Sequence, residues 1–470
     1  MNVDKKNSEN LNNSKVFPRV AVLLAGGKGT RLGELAKEIP KPMIPIDGKP
    51  LLERQIEWLK GEGVQKFFIL SGHLGQVIES YFQDGSAWGV EIQHVIEKEA
   101  LGTAGALEQL KTHIAQPFWV IYGDLIADLN LQKVFDFHHH KEAFGTLVVH
   151  PNDHPFDSDL VQVDGSLQIT RFLTKPHPEN LIFRNLVNAA VYLLEPEFFK
   201  FLPQGVKGDI ARDIFPAAIQ KEPFYAYNSP EYLKDMGTPD RLAKVTQDFT
   251  SGKVKALRIE NPRPTVFLDR DGVVIEYVPE IHKIEDVKLR EGVAEAIHKL
   301  NQKGFLVIVA TNQPMIAKGF LTEEELHQIH AKIETLISEE GAWIDRFYYC
   351  PHHPEKGFAG EVKELKIRCD CRKPGTGMLE QASQDYCINK ESSFMIGDTW
   401  RDVECGKRFS LNAIGLMGGA GFPYSEEVIQ KQTSEAADKL SSYQPQNLFK
   451  NLSEAAEFIL QKFNKNSQQK

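Results

Sequence analysis

Cysteine is scarce, at five in 470 residues. That excludes a disulfide-built scaffold and suits a reducing compartment. Long apolar runs are also missing, so no segment reads as membrane-spanning, and the polar, Asn-rich start (Met1–Ser14) has no apolar signal core. A basic excess is absent: 55 Lys and Arg stand against 64 Asp and Glu, a net charge of −9. This excludes general nucleic-acid binding and leaves room for local cationic pockets that hold phosphates. No repeat relates the two halves. These absences lead us to expect a soluble, cytoplasmic protein with no nucleic-acid or membrane partner, and they leave homo-oligomerisation open. The composition that is present, 41% hydrophobic and 25% charged, is ordinary and globular, and the length favours two domains.

Three of the five cysteines cluster. Cys350-Pro351-His352 is followed, after sixteen intervening residues, by Cys369-Asp370-Cys371. Three thiolates and one imidazole suit a closed tetrahedral Zn²⁺ site, and closed sites are structural as a rule. On spacing alone His353 rivals His352.

Apolar, strand-like runs alternate with longer helical patterns. Val20–Leu24, Lys66–Ser71 and Phe118–Tyr122 read as strands and Pro50–Gly61 as a helix. The pattern lapses over Thr246–Pro264, where Gly252, Pro262 and Pro264 punctuate a polar stretch. A second alternation follows: strands at Thr265–Leu268, Phe305–Ala310 and Ser393–Ile396, helices at Glu291–Lys303, Thr322–Glu339 and Ser453–Phe463. Thr322 and Ser453 read as helix N-caps. The expected organisation is a disordered leader (1–16), an α/β domain (17–245), a linker (246–263), a second α/β domain (264–463) and a tail (464–470).

The loop Ala25-Gly26-Gly27-Lys28-Gly29-Thr30-Arg31 follows the first strand. Its glycines let backbone N–H groups approach a phosphate, and Lys28 and Arg31 add positive charge. It is neither a Walker loop nor a dinucleotide fingerprint, because Thr30-Arg31 and Leu32 stand where those patterns need other residues. Pro40-Lys41-Pro42, Glu97 with Leu101–Gly105, Tyr122-Gly123-Asp124, Thr174-Lys175-Pro176, Asn188-Ala189-Ala190 and Asp235–Pro239 follow in order. Residues 17–245 thereby resemble the sugar-1-phosphate nucleotidyltransferases, although that family often has Glu where Thr174 stands. The resemblance implies a Rossmann-like, GT-A-like mixed sheet and attack of a sugar 1-phosphate on the α-phosphorus of a nucleoside triphosphate. It assigns nucleotide contacts to Ala25, Gly26, Gly27, Gly29, Thr30, Glu97, Gly102 and Thr103. It also implies that Arg31 and Lys41 are the catalytic cations, that Lys175 and Asn188 hold the sugar phosphate, and that Asp124 and Asp235 bind Mg²⁺.

In the second half, Thr265–Leu268 leads into Asp269-Arg270-Asp271-Gly272. Alternation along a strand would point both acids the same way. Thr311-Asn312-Gln313, Arg372-Lys373-Pro374 and Gly397-Asp398-Thr399 follow. Residues 264–463 resemble the haloacid dehalogenase-type phosphohydrolases. The resemblance implies an Asp269 nucleophile, Asp271 as acid and base, Thr311, Asn312, Lys373 and Arg372 around the phosphoryl group, and Mg²⁺ at Asp269, Asp271 (through its carbonyl) and Asp398. Asp402 reads either as a support for that site or as an exposed helix acid. Asp269 and Thr311 lie 42 positions apart, too close for a helical cap domain, and the cysteine loop falls in the 62 positions between Thr311 and Lys373. A capless Rossmann-like domain with a zinc loop resembles the heptose 1,7-bisphosphate 7-phosphatases and, nearly as closely, the histidinol-phosphate phosphatases. Pro314–Lys318 departs from the Ser-Gly-Ile-Ala-Arg common in the former.

The combination implies more than either half. A heptose 1,7-bisphosphate stripped of its 7-phosphate is a heptose 1-phosphate, which a sugar-1-phosphate nucleotidyltransferase consumes. By resemblance the nucleotide is GTP and the product a GDP-heptose for cell-surface polysaccharide. The alternatives are a transferase for another sugar joined to an unrelated phosphatase, or one half kept as a binding module.

Overall fold

The computed structural model describes residues 16–467 apart from Lys28, Glu34, Glu280 and residues 418–447. Most of the expected leader and the last three residues of the expected tail lie outside the described residues.

The first half is built on a nine-stranded mixed sheet. Its path runs Ile169–Leu173, Leu160–Val163, Val187–Leu194, Phe118–Tyr122, Val20–Leu24, Lys66–Ser71, Glu91–Ile96; Gly145–His150 joins it alongside Val187–Leu194, and Phe224–Asn228 pairs in turn with Gly145–His150. Val20–Leu24 is central and parallel to both neighbours, and every residue in it is buried. That is why it reads as an unbroken apolar run. Its alternate residues serve two cores: Val20, Val22 and Leu24 pack on one face, Ala21 and Leu23 on the other. The antiparallel pairing of Val187–Leu194 with Phe118–Tyr122 makes the sheet mixed.

The second half carries six parallel strands in the order Arg346–Cys350, Leu306–Asn312, Thr265–Leu268, Phe394–Gly397, Asn412–Leu416, Leu448–Phe449. Helices Val293–Gln302 and Glu323–Ser338 pack against one face of this sheet. Thr322 caps the second of these in a full capping box with Glu325. The expectation for Ser453 is corrected. The helix begins at Leu452, Asn451 Oδ1 accepts the Glu454 N–H at 2.9 Å, and Ser453 instead donates to Gly292 O at 3.2 Å. This helix runs to Ser467, beyond its expected end at Phe463.

Residues 246–263 are partly helical, with Pro239–Thr250 and Lys253–Ala256. They are fastened to the first half by Arg258, which pairs with Glu62 at 2.9 Å and Asp128 at 2.7 Å. Arg263, buried, then spans the halves by donating to Pro230 O and Gly304 O.

Candidate active sites

In the first half the glycine loop crosses the carboxyl edge of the sheet, where the Ala25 N–H donates to Leu70 O at 2.7 Å. Gly26, Gly27, Gly29, Arg31, Lys41, Glu97, Gly102, Thr103 and Asp124 share one cavity of about 350 Å³. Thr30 lies in the 3₁₀ turn Thr30–Leu32, and Lys28 is outside the described residues. Glu97 accepts the Leu101 N–H at 3.2 Å, and burial raises its carboxyl above the ordinary value. Gly102 has φ +72°, and a Cβ there would lie 2.4 Å from Gly208 O, so glycine is required. The Thr103 hydroxyl donates to Asp209 at 3.1 Å and accepts the Ile210 N–H at 2.8 Å.

A second cavity, of about 910 Å³, shares Arg31, Tyr122 and Asp124 with the first and continues to Lys175, Asn188 and Asp235. Asp124 and Asp235 are neighbours: the ribbon of Leu125–Ala127 and Leu233–Asp235 joins them, and the Met236 N–H donates to Asp124 O at 3.0 Å. Each acid has its own cation. Buried Lys41 pairs with Asp124, and Arg241 donates twice to Asp235, at 2.8 and 3.1 Å. Burial pushes the Asp235 carboxyl up, but Arg241, the Gly237 N–H and Lys41 outweigh it and hold it below the ordinary value. Lys175 is exposed and donates to Asp157 O at 2.7 Å and Oδ1 at 3.1 Å. Asn188 donates to the Tyr192 hydroxyl at 2.9 Å. Sequence reasoning missed Arg241, Asp157 and Asp209. For Arg241 a signal existed: it stands one turn into the helix that Thr238 caps, directly after the Asp235 motif.

In the second half, Asp269 sits just past the strand Thr265–Leu268, with its N–H donating to Ile396 O at 2.9 Å. Lys373 bridges Asp269 at 2.8 Å and Asp402 at 2.5 Å. Carboxylate oxygens of Asp269, Asp398 and Asp402 lie within 4.8 Å of one another. Burial pushes Asp269 up, Lys373 pulls it back, and Asp402, Asp398 and Asp271 push again, leaving it at about 7. Gly272, at φ +77°, passes so near Asp398 that a Cβ would fall 2.2 Å from Oδ2. Asp402 is fully buried and caps its helix through Thr399, which rejects the exposed-acid alternative.

The Asp271 carboxylate is turned by two neighbours. Arg270, itself fully buried, donates to it through Nε and Nη2 at 2.8–2.9 Å, and Gln313 donates at 3.0 Å. Gln313 also donates to the Thr311 hydroxyl at 2.9 Å. The side chain of Asn312, expected on the phosphoryl group, is instead spent on the Lys373 backbone, donating to its carbonyl at 3.2 Å and accepting its N–H at 2.9 Å. Arg372 donates to His352 O at 3.3 Å, which ties the lysine motif to the cysteine loop.

That loop gathers Cys350, His352, Cys369 and Cys371. Cys371 Sγ lies 3.2 Å from Cys350 Sγ, Cys369 Sγ and His352 Nδ1, and Cys350 Sγ lies 3.6 Å from Cys369 Sγ. A tetrahedral ion with bonds of about 2.3 Å needs sulfur edges of about 3.8 Å, so an outward shift of each ligand by a few tenths of an ångström suffices. His353 is not in the group; its Nδ1 lies 3.4 Å from Glu355 O.

With this geometry in place, residues 20–252 match the nucleotidyl transferase family and residues 370–455 the HAD-hydrolase-like family. A UTP–glucose-1-phosphate uridylyltransferase of Synechocystis sp. is 31% identical over 292 residues, covering 57% of this chain and 75% of its own length. A D-glycero-β-D-manno-heptose-1,7-bisphosphate 7-phosphatase of Photorhabdus laumondii is 38% identical, covering 36% of this chain and 86% of its own length. The same organism's α-heptose counterpart is 36% identical, covering 35% and 88%. The chain belongs to both families. It is a nucleotidyltransferase domain joined to a haloacid dehalogenase-type phosphatase domain, and its sheets are the mixed and parallel ones those folds require. Among the described residues of this fusion no helix is long and apolar enough to cross a membrane.

Proposed function

We propose that the chain performs two consecutive steps of nucleotide-heptose formation. The phosphatase domain removes the 7-phosphate of D-glycero-α-D-manno-heptose 1,7-bisphosphate. The transferase domain then moves a guanylyl group from GTP to the heptose 1-phosphate, giving GDP-heptose and pyrophosphate. The observation that carries this reading is the fusion itself. Relatives of the second domain are named for releasing a 7-phosphate from a heptose 1,7-bisphosphate, which leaves a 1-phosphate, and the first domain belongs to a family with members that consume sugar 1-phosphates. Covalent linkage raises the local concentration of that shared intermediate.

In the phosphatase step a carboxylate oxygen of Asp269 attacks phosphorus, the bond to the C7 oxygen breaks, and Asp271 gives that oxygen its proton. Asp271 then takes a proton from water as it attacks the aspartyl phosphate. Arg270 and Gln313 keep Asp271 in place, Thr311 faces the phosphoryl oxygens, and Asn312 fixes the backbone of Lys373, which offsets their charge. The crowding of buried acids fits a divalent cation: Asp269, the Asp271 carbonyl and Asp398 would hold Mg²⁺, which offsets phosphate charge when bound. In the transferase step Lys41 and Arg31 stabilise the charge that builds on the triphosphate, and Lys175 with Asn188 receives the sugar phosphate. Asp124 and Asp235 would hold the second Mg²⁺, and Cys350, His352, Cys369 and Cys371 a structural Zn²⁺ that fixes the loop.

Guanine is favoured by Glu97. A carboxylate in a base pocket accepts two parallel N–H donors, which guanine offers on one edge and uracil does not. The test is competition: wild type and Glu97→Gln are given heptose 1-phosphate with equimolar GTP and UTP. GDP-heptose should dominate for wild type, and the preference should fall about tenfold in the variant. UDP-heptose as the main wild-type product would contradict the guanine assignment.

A further inference from the structure

The larger transferase cavity is lined by transferase residues, but part of its wall is held from behind by the phosphatase domain. One side of it is the loop from Asn152 to Asp159. This loop carries Asp157, which holds Lys175 and lies 3.7 Å from Arg241, and Ser158, whose carbonyl oxygen is 2.7 Å from His177 Nε2. Asn152 organises the loop: its Oδ1 accepts the His154 N–H at 3.0 Å, and its Nδ2 donates to Ser158 Oγ at 3.4 Å.

Asn152 is in turn fixed by Asn185, which is 1% exposed. Asn185 Oδ1 accepts the Asn152 N–H at 3.1 Å, and Asn185 Nδ2 donates to Asn152 O at 2.8 Å. The same Nδ2 donates to Ser338 Oγ at 3.2 Å, at the end of the phosphatase helix Glu323–Ser338. The Ser338 hydroxyl proton goes to Glu334 O at 2.7 Å, so the oxygen is left as an acceptor for Asn185. The two residues before Asn185 grip the same helix. Phe183 exchanges two hydrogen bonds with the Thr335 hydroxyl, at 3.0 and 3.2 Å, and Arg184 pairs with buried Glu334. A second phosphatase contact reaches the loop directly: Gly341, at φ +68°, is so close that a Cβ would lie 3.3 Å from Asp153 O.

We infer that Asn185 is a positioning residue through which the phosphatase helix sets the sugar-phosphate pocket of the transferase. This rests on reading the larger cavity as the sugar-phosphate site. The bonds are buried, so water does not replace a lost partner. A change in the phosphatase domain should therefore be felt as weaker sugar-phosphate binding in the other domain.

The test uses the full chain with Ser338→Ala and Asn185→Ala. Transfer is measured with GTP and D-glycero-α-D-manno-heptose 1-phosphate, or with mannose or glucose 1-phosphate if wild type turns over one of those instead. Ser338→Ala should raise the KM for the sugar phosphate by about threefold to tenfold while kcat and the KM for GTP change by less than about twofold. Asn185→Ala should raise it further, and Ser338→Thr, which keeps the hydroxyl, should restore it. Undiminished phosphatase activity of Ser338→Ala reports that the helix still folds. A sugar-phosphate KM unchanged in both alanine variants would overturn the inference, as would equal losses for GTP, sugar phosphate and phosphate release. Wild-type turnover of only a different sugar phosphate would instead refute the heptose reading, and the KM comparison would still decide the inference on that substrate.

Discussion

The two active sites handle charge in opposite ways. The phosphatase domain crowds Asp269, Asp398 and Asp402 around a single buried lysine, Lys373. The transferase domain gives each acid its own cation, Asp124 to Lys41 and Asp235 to Arg241, and spreads them along two joined cavities with Arg31 exposed. A covalent nucleophile must be held against one small phosphoryl group, which rewards a tight, over-acidic site completed by a cation. Transfer from a triphosphate needs a long cleft whose positive charges follow the charge as it moves. Locked acids and paired acids are thus two solutions for two sizes of substrate.

That contrast can be broken one side at a time. Asp269→Asn should cut phosphate release by at least about 10³-fold, because it removes the proposed nucleophile, while nucleotidyl transfer from heptose 1-phosphate is retained; separate phosphate and pyrophosphate assays check this. Lys41→Ala should lower transfer by about 10²-fold to 10³-fold and spare phosphate release. Parallel loss of both activities in either variant would mean that the sites are not independent. Cys371→Ser should reduce bound zinc, read by elemental mass spectrometry, and lower the melting temperature of the phosphatase domain by about 5 °C or more, with transfer less affected. Unchanged melting after verified zinc loss would exclude a structural role.

The smallest expected effect sharpens the contrast away from both sites. Glu231 is 4% exposed and accepts N–H groups from Asn130 and Ile259, and burial raises its carboxyl to about 7. The fold therefore holds this proton more tightly than the unfolded chain does. Its contribution is fully present below the ordinary carboxyl value and is lost as pH rises towards about 7. Glu231→Gln should flatten that part of the stability curve, measured by urea denaturation at a series of pH values. An unchanged slope would contradict the shift.

Much of the fold was legible because its central strands are uniformly apolar and its catalytic motifs sit where those strands end. Lys66–Ser71 and Phe118–Tyr122 have the expected bounds. What escaped was set by partners distant in sequence. Nothing local marks Arg270 as buried; a residue between two strand-end acids should face away from them, yet its guanidinium returns to Asp271. The reason is that the strand stops at Leu268, so the alternation argument ends before the acids begin. Asp402 was open to a better reading, since Thr399 and Asp402 have capping-box spacing. The choice of His352 over His353 needed the loop geometry. The grip of Phe183, Arg184 and Asn185 on a helix about 150 residues away could not be seen from spacing at all.

The central claim is tested most directly by incubating the purified chain with D-glycero-α-D-manno-heptose 1,7-bisphosphate, GTP and Mg²⁺ and following all products by mass spectrometry. The account predicts GDP-heptose together with both phosphate and pyrophosphate. No phosphate release from the bisphosphate, by a preparation active on another phosphate ester, would contradict it.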